Sequence, residues 1–120
     1  MTRVFGLHEI ELHPGVNEED FENFFRNEVA KAPFYPGWSA RLLKGERGAR
    51  QGKYLMLMDI ESVGARDRFS PAENQESEET KQFVEQHKDE LEPVFQKWGT
   101  FSPTQMGVNS VYTDYLVLDE

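Results

Sequence analysis

The seven residues YLMLMDI, Tyr54 to Ile60, limit the folds open to this chain more than any other stretch. Only Asp59 in the run is charged. A short apolar run without helical period reads as a strand in the body of a sheet, buried on both faces. The glycine-rich segment GERGARQG, 45–52, precedes it, and Trp38 to about Lys44 reads as a strand before that. The two strands and their connection make a hairpin longer than the tightest types.

The rest of the pattern has to supply partners for that hairpin and a cover for it. Val4 to Leu12 alternates. One face carries Val4, Gly6, His8, Ile10 and Leu12, and the other carries Phe5, Leu7, Glu9 and Glu11. After Pro14-Gly15, Asn17 is placed to cap a helix whose first turn holds Glu18, Glu19 and Asp20, where the helix dipole favours negative charge. Phe21, Phe24, Phe25 and Val29 then form an apolar stripe, and Pro33 stops the helix. SVGARDRFS predicts a short helix closed by Pro71, and AENQESEE a polar loop. From Glu78, with Ser77 as cap, a long helix carries the stripe Phe83, His87, Leu91, Val94, Phe95 and Trp98. Pro93 inside that stripe predicts a kink or break. Val111 to Leu118 reads as a last strand.

Strand, helix, strand, strand, helix, strand is the order of the ferredoxin-like split βαβ unit. The expected class is α+β: residues 1–120 as one domain, with a four-stranded antiparallel sheet and two main helices on one face. A chain of 120 residues is long enough for one core without staples. It has no cysteine, which excludes disulfides, thiolate nucleophiles and Cys-ligated zinc and fits a reducing, cytoplasmic setting. The net charge of -9 repels phosphate backbones, so nucleic acid is not an expected partner. No long apolar run or signal-like segment is seen, so neither a membrane nor secretion is expected.

His8, Glu9, Glu11 and His13 invite a metal reading. His8 and His13 are five residues apart, which on a strand puts them on opposite faces. Glu9, Glu11 and His13 share a face but span ~13 Å, too far to close on one ion without strain. A solvated or partner-facing strand face is the expectation there, with no metal. His8 and His87 differ from these. His8 lies on the face the helices should cover, and His87 lies on the stripe of the long helix. Either they are hydrogen-bonded core histidines or they line a cleft between sheet and helix, where histidine suits acid/base work near neutral pH. The basic, glycine-rich 45–52 segment lacks the setting of a phosphate loop and reads as a mobile hairpin tip.

Several stretches carry a resemblance to a known family. HPG after the first strand, PGWSARLL into the second and YLMLMDIES as the third, followed by a short helix, resemble the dimeric α/β-barrel superfamily, in its antibiotic-biosynthesis-monooxygenase-like group. The likeness covers roughly residues 4–98. It implies a homodimer joined sheet to sheet, with helices outside, and a small apolar or aromatic ligand. In the haem-degrading members a Phe-x-x-x-His run supplies the iron ligand. FVEQH matches it here and puts His87 at that position, with His8 where those proteins have Asn and Phe69 near their Trp. Other relatives, polyketide cyclases, use histidines from the same two elements with a tyrosine and no cofactor.

The expected function is cofactor-independent oxygenation, cyclisation or isomerisation of an aromatic, polyketide-like substrate. His8 and His87 are its candidate catalytic pair. Phe69, Phe83, Leu91, Trp98, Met56, Met58 and Tyr115 are candidate pocket walls, with Tyr112 a second candidate tyrosine. Haem on His87 is the alternative cofactor reading, and a non-catalytic dimeric binding module is the third.

Overall fold

The computed structural model describes residues 2–104 and 110–119. Its elements are β1 (Val4–Ile10), α1 (Glu18–Phe24), a π-helical turn (Phe25–Val29), β2 (Trp38–Lys44), β3 (Tyr54–Ile60), α2 (Val63–Phe69), α3 (Glu78–Gln86), α4 (Lys88–Phe101) and β4 (Tyr112–Leu116). The expected second and third strands are found at their expected bounds. The first ends short of Leu12, and the last covers 112–116 rather than 111–118.

The strands form one sheet in the order β2-β3-β1-β4, each neighbour antiparallel. β3 therefore sits between β1 and β2, which run parallel, and β1 sits between β3 and β4. This α+β arrangement is compatible with a ferredoxin-like fold. The register stacks three rows on the inner face. Leu42, Met56, His8 and Tyr112 form one row; Ala40, Met58, Gly6 and Asp114 form the next; Trp38, Ile60, Val4 and Leu116 form the third.

The helices begin where the sequence offers caps. Asn17 Oδ1 accepts the Asp20 N–H at 3.0 Å, Ser62 Oγ accepts from Ala65 and Ser77 Oγ from Thr80. The π-helical turn follows directly on α1, closed by Ala30 N–H to Phe25 C=O at 2.8 Å, and Phe21, Phe24, Phe25 and Val29 are all buried. Phe21 meets Trp98 and Tyr54 edge-on. Phe21 lies 5.6 Å from Trp98 and 5.3 Å from Tyr54, and Phe24 stacks on Phe101 at 5.1 Å. This aromatic block is the closed part of the core.

Two expectations about the helices are corrected. The single long helix is two, so four α-helices appear among the described residues rather than two main ones and a short one. The break falls at His87 (φ -107°, ψ 19°), not at Pro93. Pro93 has no N–H to give Asp89, yet α4 runs through it, because burial of Leu91 and Trp98 on either side offsets the lost bond. At His87 the carbonyl accepts the N–H groups of both Glu90 (3.0 Å) and Leu91 (2.9 Å), which starts a new helix there.

The outer sheet face is less covered than YLMLMDI implies. Tyr54, Met56, Met58 and Ile60 are buried, whereas Leu55, Leu57 and Asp59 are half-buried. Phe5 and Leu7 beside them are half-buried too, and Leu43 and Tyr115 on the same face are exposed.

Candidate functional site

The site forms where the inner rows leave the aromatic block. β1 places His8 between Met56 and Tyr112. Its ring stacks on Tyr112, centroids 5.0 Å apart and 14° from parallel. Its Nδ1 lies 3.0 Å from Ser110 Oγ. Burial pushes the His8 pKa below the ordinary imidazole value, against the opposing pull of the Asp114 carboxylate. The ring is therefore neutral at neutral pH.

The Asp114 carboxylate and the His8 ring both border the space over residue 6, which is glycine. A Cβ on Gly6 would sit 2.8 Å from Asp114 Oδ1 and 3.4 Å from His8 Nε2. A glycine inside a strand often marks such a close approach. The other Asp114 oxygen accepts from Arg66 Nη1 at 3.2 Å, and Arg66 Nε donates to Asp67 at 3.0 Å.

Among the described residues, three cavities are found along this face. The largest, about 470 Å³, opens between the sheet, the chain after the π-helical turn, α3 and the start of α4. Its walls include Met56, Met58, Trp38, Phe83, Leu91 and Phe95, with His8 among them. A second, of about 80 Å³, shares His8, Tyr35, Trp38 and Glu76 with the first and adds Phe69, Tyr112 and Asp114. The third, of about 360 Å³, is polar and is bounded by Arg66, Asp67, Ser70, Glu73, Tyr112 and Asp114, with others. Ligand sites are commonly apolar hollows of several hundred Å³ with a few converging polar groups.

The candidate residues divide into groups. His8, Met56, Met58, Phe83 and Leu91 come together around the large cavity, and Phe69 lines the small one. Trp98 lies in the closed aromatic block, its indole N–H donating to Thr104 C=O at 2.6 Å. Tyr115 is on the outer face opposite Phe5, and Tyr112 is the tyrosine beside His8. His87 does not line the large cavity. Its Nδ1 lies 3.3 Å from Glu90 Oε1 and its ring 4.4 Å from that of Phe83. Phe95, expected on a covered stripe, is 44% exposed at the cavity rim. His13 Nε2 lies 2.9 Å from Gly99 C=O, and Glu9 pairs with Arg50 at 2.9 Å. Among the described residues, no group of three or more His, Cys, Asp or Glu is placed to hold a metal ion.

Tyr35 belongs to the site and was not singled out in the sequence. It stacks on Phe69 at 4.4 Å and 5°, and meets Phe83 and Trp38 edge-on at 4.9 and 5.1 Å. Burial raises its pKa; the Thr80 hydroxyl lowers it and the Glu76 carboxylate raises it further. The phenol therefore stays protonated. Its only signal is the aromatic cluster FYPGW around the Pro36-Gly37 turn. Asp114 and Arg66 were missed because the register that brings β4 beside Gly6 is not written in either segment.

The fold and site thus define a small α+β domain with a ligand-sized apolar cavity opening on a half-buried histidine. Compared with known proteins, the chain matches no family model, and no curated protein or solved structure is significantly similar to it.

Proposed function

We propose that the protein is a small-molecule enzyme of the ferredoxin-like, dimeric α/β-barrel kind. It moves a proton on an apolar, aromatic, enolisable substrate without a cofactor, in an isomerisation, cyclisation or oxygenation. The observation that carries this reading is the cavity of about 470 Å³ with the neutral imidazole of His8 in its wall. In the tautomer whose Nδ1–H donates to Ser110 Oγ, Nε2 is the nitrogen that takes a proton. The Asp114 carboxylate stabilises the imidazolium that results. The protonated Tyr35 phenol, in the same wall, is a donor for a substrate oxygen.

His87 is the weaker half of the expected pair, since its imidazole lies against Glu90 and Phe83 and outside the cavity wall. Haem needs an iron ligand facing the cavity. The placement of His87 does not fit that need. The homodimer reading is supported by Leu43 and Tyr115, exposed on the outer face beside half-buried Phe5, Leu7, Leu55 and Leu57.

The test is exchange of α-protons for deuterium on a panel of aryl ketones and β-diketones, followed by NMR. Wild type should accelerate exchange for at least one member, and His8→Gln should lower the rate ~100-fold or more, the range for loss of a general base. Equal rates in the two proteins across the panel defeat the reading. Titration with hemin should give no saturable spectral change that His87→Ala abolishes; such a change would put haem in its place.

A further inference from the structure

The three cavities run in series. The apolar chamber and the small cavity share His8, Tyr35 and Trp38; the small cavity and the polar one share Arg66, Ser70, Tyr112 and Asp114. The small cavity is thus a neck between an apolar and a polar space, with His8 beside it. Gly6 adjoins two residues of this neck, since a Cβ there would crowd Asp114 Oδ1 and His8 Nε2.

The polar end has a definite chemistry. Arg66 carries more N–H donors than its bonds to Asp67 and Asp114 use, and it borders both the neck and the far chamber. Asp114 gives one oxygen to Arg66 and turns the other to the Gly6 notch. Donor and acceptor therefore stand side by side. The positive charge of Arg66 is already matched, and Asp67, Glu73 and Asp114 leave the chamber with surplus negative charge. A carboxylate head meets that negative field. An ammonium head has to compete with the Arg66 guanidinium for Asp67 and Asp114, both already hydrogen-bonded to it. An uncharged head with both a donor and an acceptor answers both groups and loses the least hydration on entry.

We propose that the ligand of the His8 cleft is an elongated amphipath, with a ring-sized apolar body in the 470 Å³ chamber and an uncharged donor–acceptor head, such as a primary amide, against Arg66 and Asp114. This rests on the reading of the cleft as a ligand site and adds which end of the ligand goes where and what charge its head carries.

Four probes with one body separate the possibilities: naphthaleneacetamide, naphthaleneacetic acid, naphthylethylamine and methylnaphthalene. Their affinities for the wild-type protein at neutral pH are measured by calorimetry or fluorescence. The amide should bind tighter than the acid and the amine by about tenfold or more. That advantage should shrink to under about threefold in Arg66→Met and in Gly6→Ala, while methylnaphthalene binds all three proteins alike. An acid or amine that equals the amide overturns the proposal, and so does an advantage that survives Arg66→Met. The wild-type ranking needs no variant to fold. If methylnaphthalene binds and the amide has no advantage, only this proposal fails. If no probe binds, the cleft is not an apolar ligand site and both readings fall.

Discussion

The two ends of the inner sheet face use the same strands and differ in what covers them. At one end, α1 and the π-helical turn bury Phe21, Phe24, Phe25 and Val29 against Tyr54, Trp98 and Phe101. At the other, α3 has one buried residue, Thr80, and spans a cavity of about 470 Å³. The contrast follows from the sequences of the two covers. The first puts four large apolar residues on one stripe. EETKQFVEQ offers only Phe83 and Val84, and Val84 stays exposed at the cavity. One end supplies stability, and the other leaves room for a ligand.

Matched substitutions at the two ends sharpen this contrast. Phe21→Ala should cost about 3–5 kcal/mol, because a fully buried ring among three aromatic partners leaves a void that cannot collapse. Phe83→Ala, half-buried and facing open space, should cost under about 1.5 kcal/mol while weakening methylnaphthalene binding severalfold. Urea unfolding gives the first comparison and a binding isotherm the second. Similar losses of stability at the two sites would mean that the cavity end is packed.

The caps give a smaller pair. Asn17→Ala and Ser77→Ala should each cost about 1 kcal/mol, read from thermal melts. Only Ser77→Ala, at the start of α3, should also weaken the ligand.

His8 adds a pH signature at the open end. Its pKa is depressed by folding, so between the folded value and the free value of ~6.5 the unfolded chain binds a proton that the folded chain does not. Stability is therefore full above ~6.5 and declines as pH falls toward the folded value. His8→Gln should flatten that decline, measured as urea midpoints at about pH 7.5 and about pH 5.5. Smallest of all, Lys97→Ala removes the surface pair with Glu28 and should cost under ~1 kcal/mol, less in high salt.

Much of the closed end can be read along the chain, because its signals are local. The bounds of β2 and β3, the Asn17 cap and the Phe21–Val29 stripe each depend on residues a few positions apart. The open end depends on meetings between distant segments. Tyr35 joins the site through a turn, and Asp114 joins through the pairing of β4 with β1 across Gly6. The stripe of the long helix misled at His87. The chain breaks helical geometry there, so periodicity carried through residue 87 assigns Phe95 to a covered face that it does not occupy. Trp98, after the break, returns to the buried side, but over the aromatic block rather than the cavity.

The proposed chemistry stands or falls with a neutral His8 imidazole in the wall of an apolar cleft. The most direct measurement is NMR of the labelled His8 ring, assigned by comparison with His8→Gln, through a pH titration with and without methylnaphthalene. A titration midpoint below the ~6.5 of free imidazole is expected, with a saturable shift of the His8 ring signal on ligand addition. An ordinary midpoint, with a ring signal indifferent to the ligand, would contradict that chemistry.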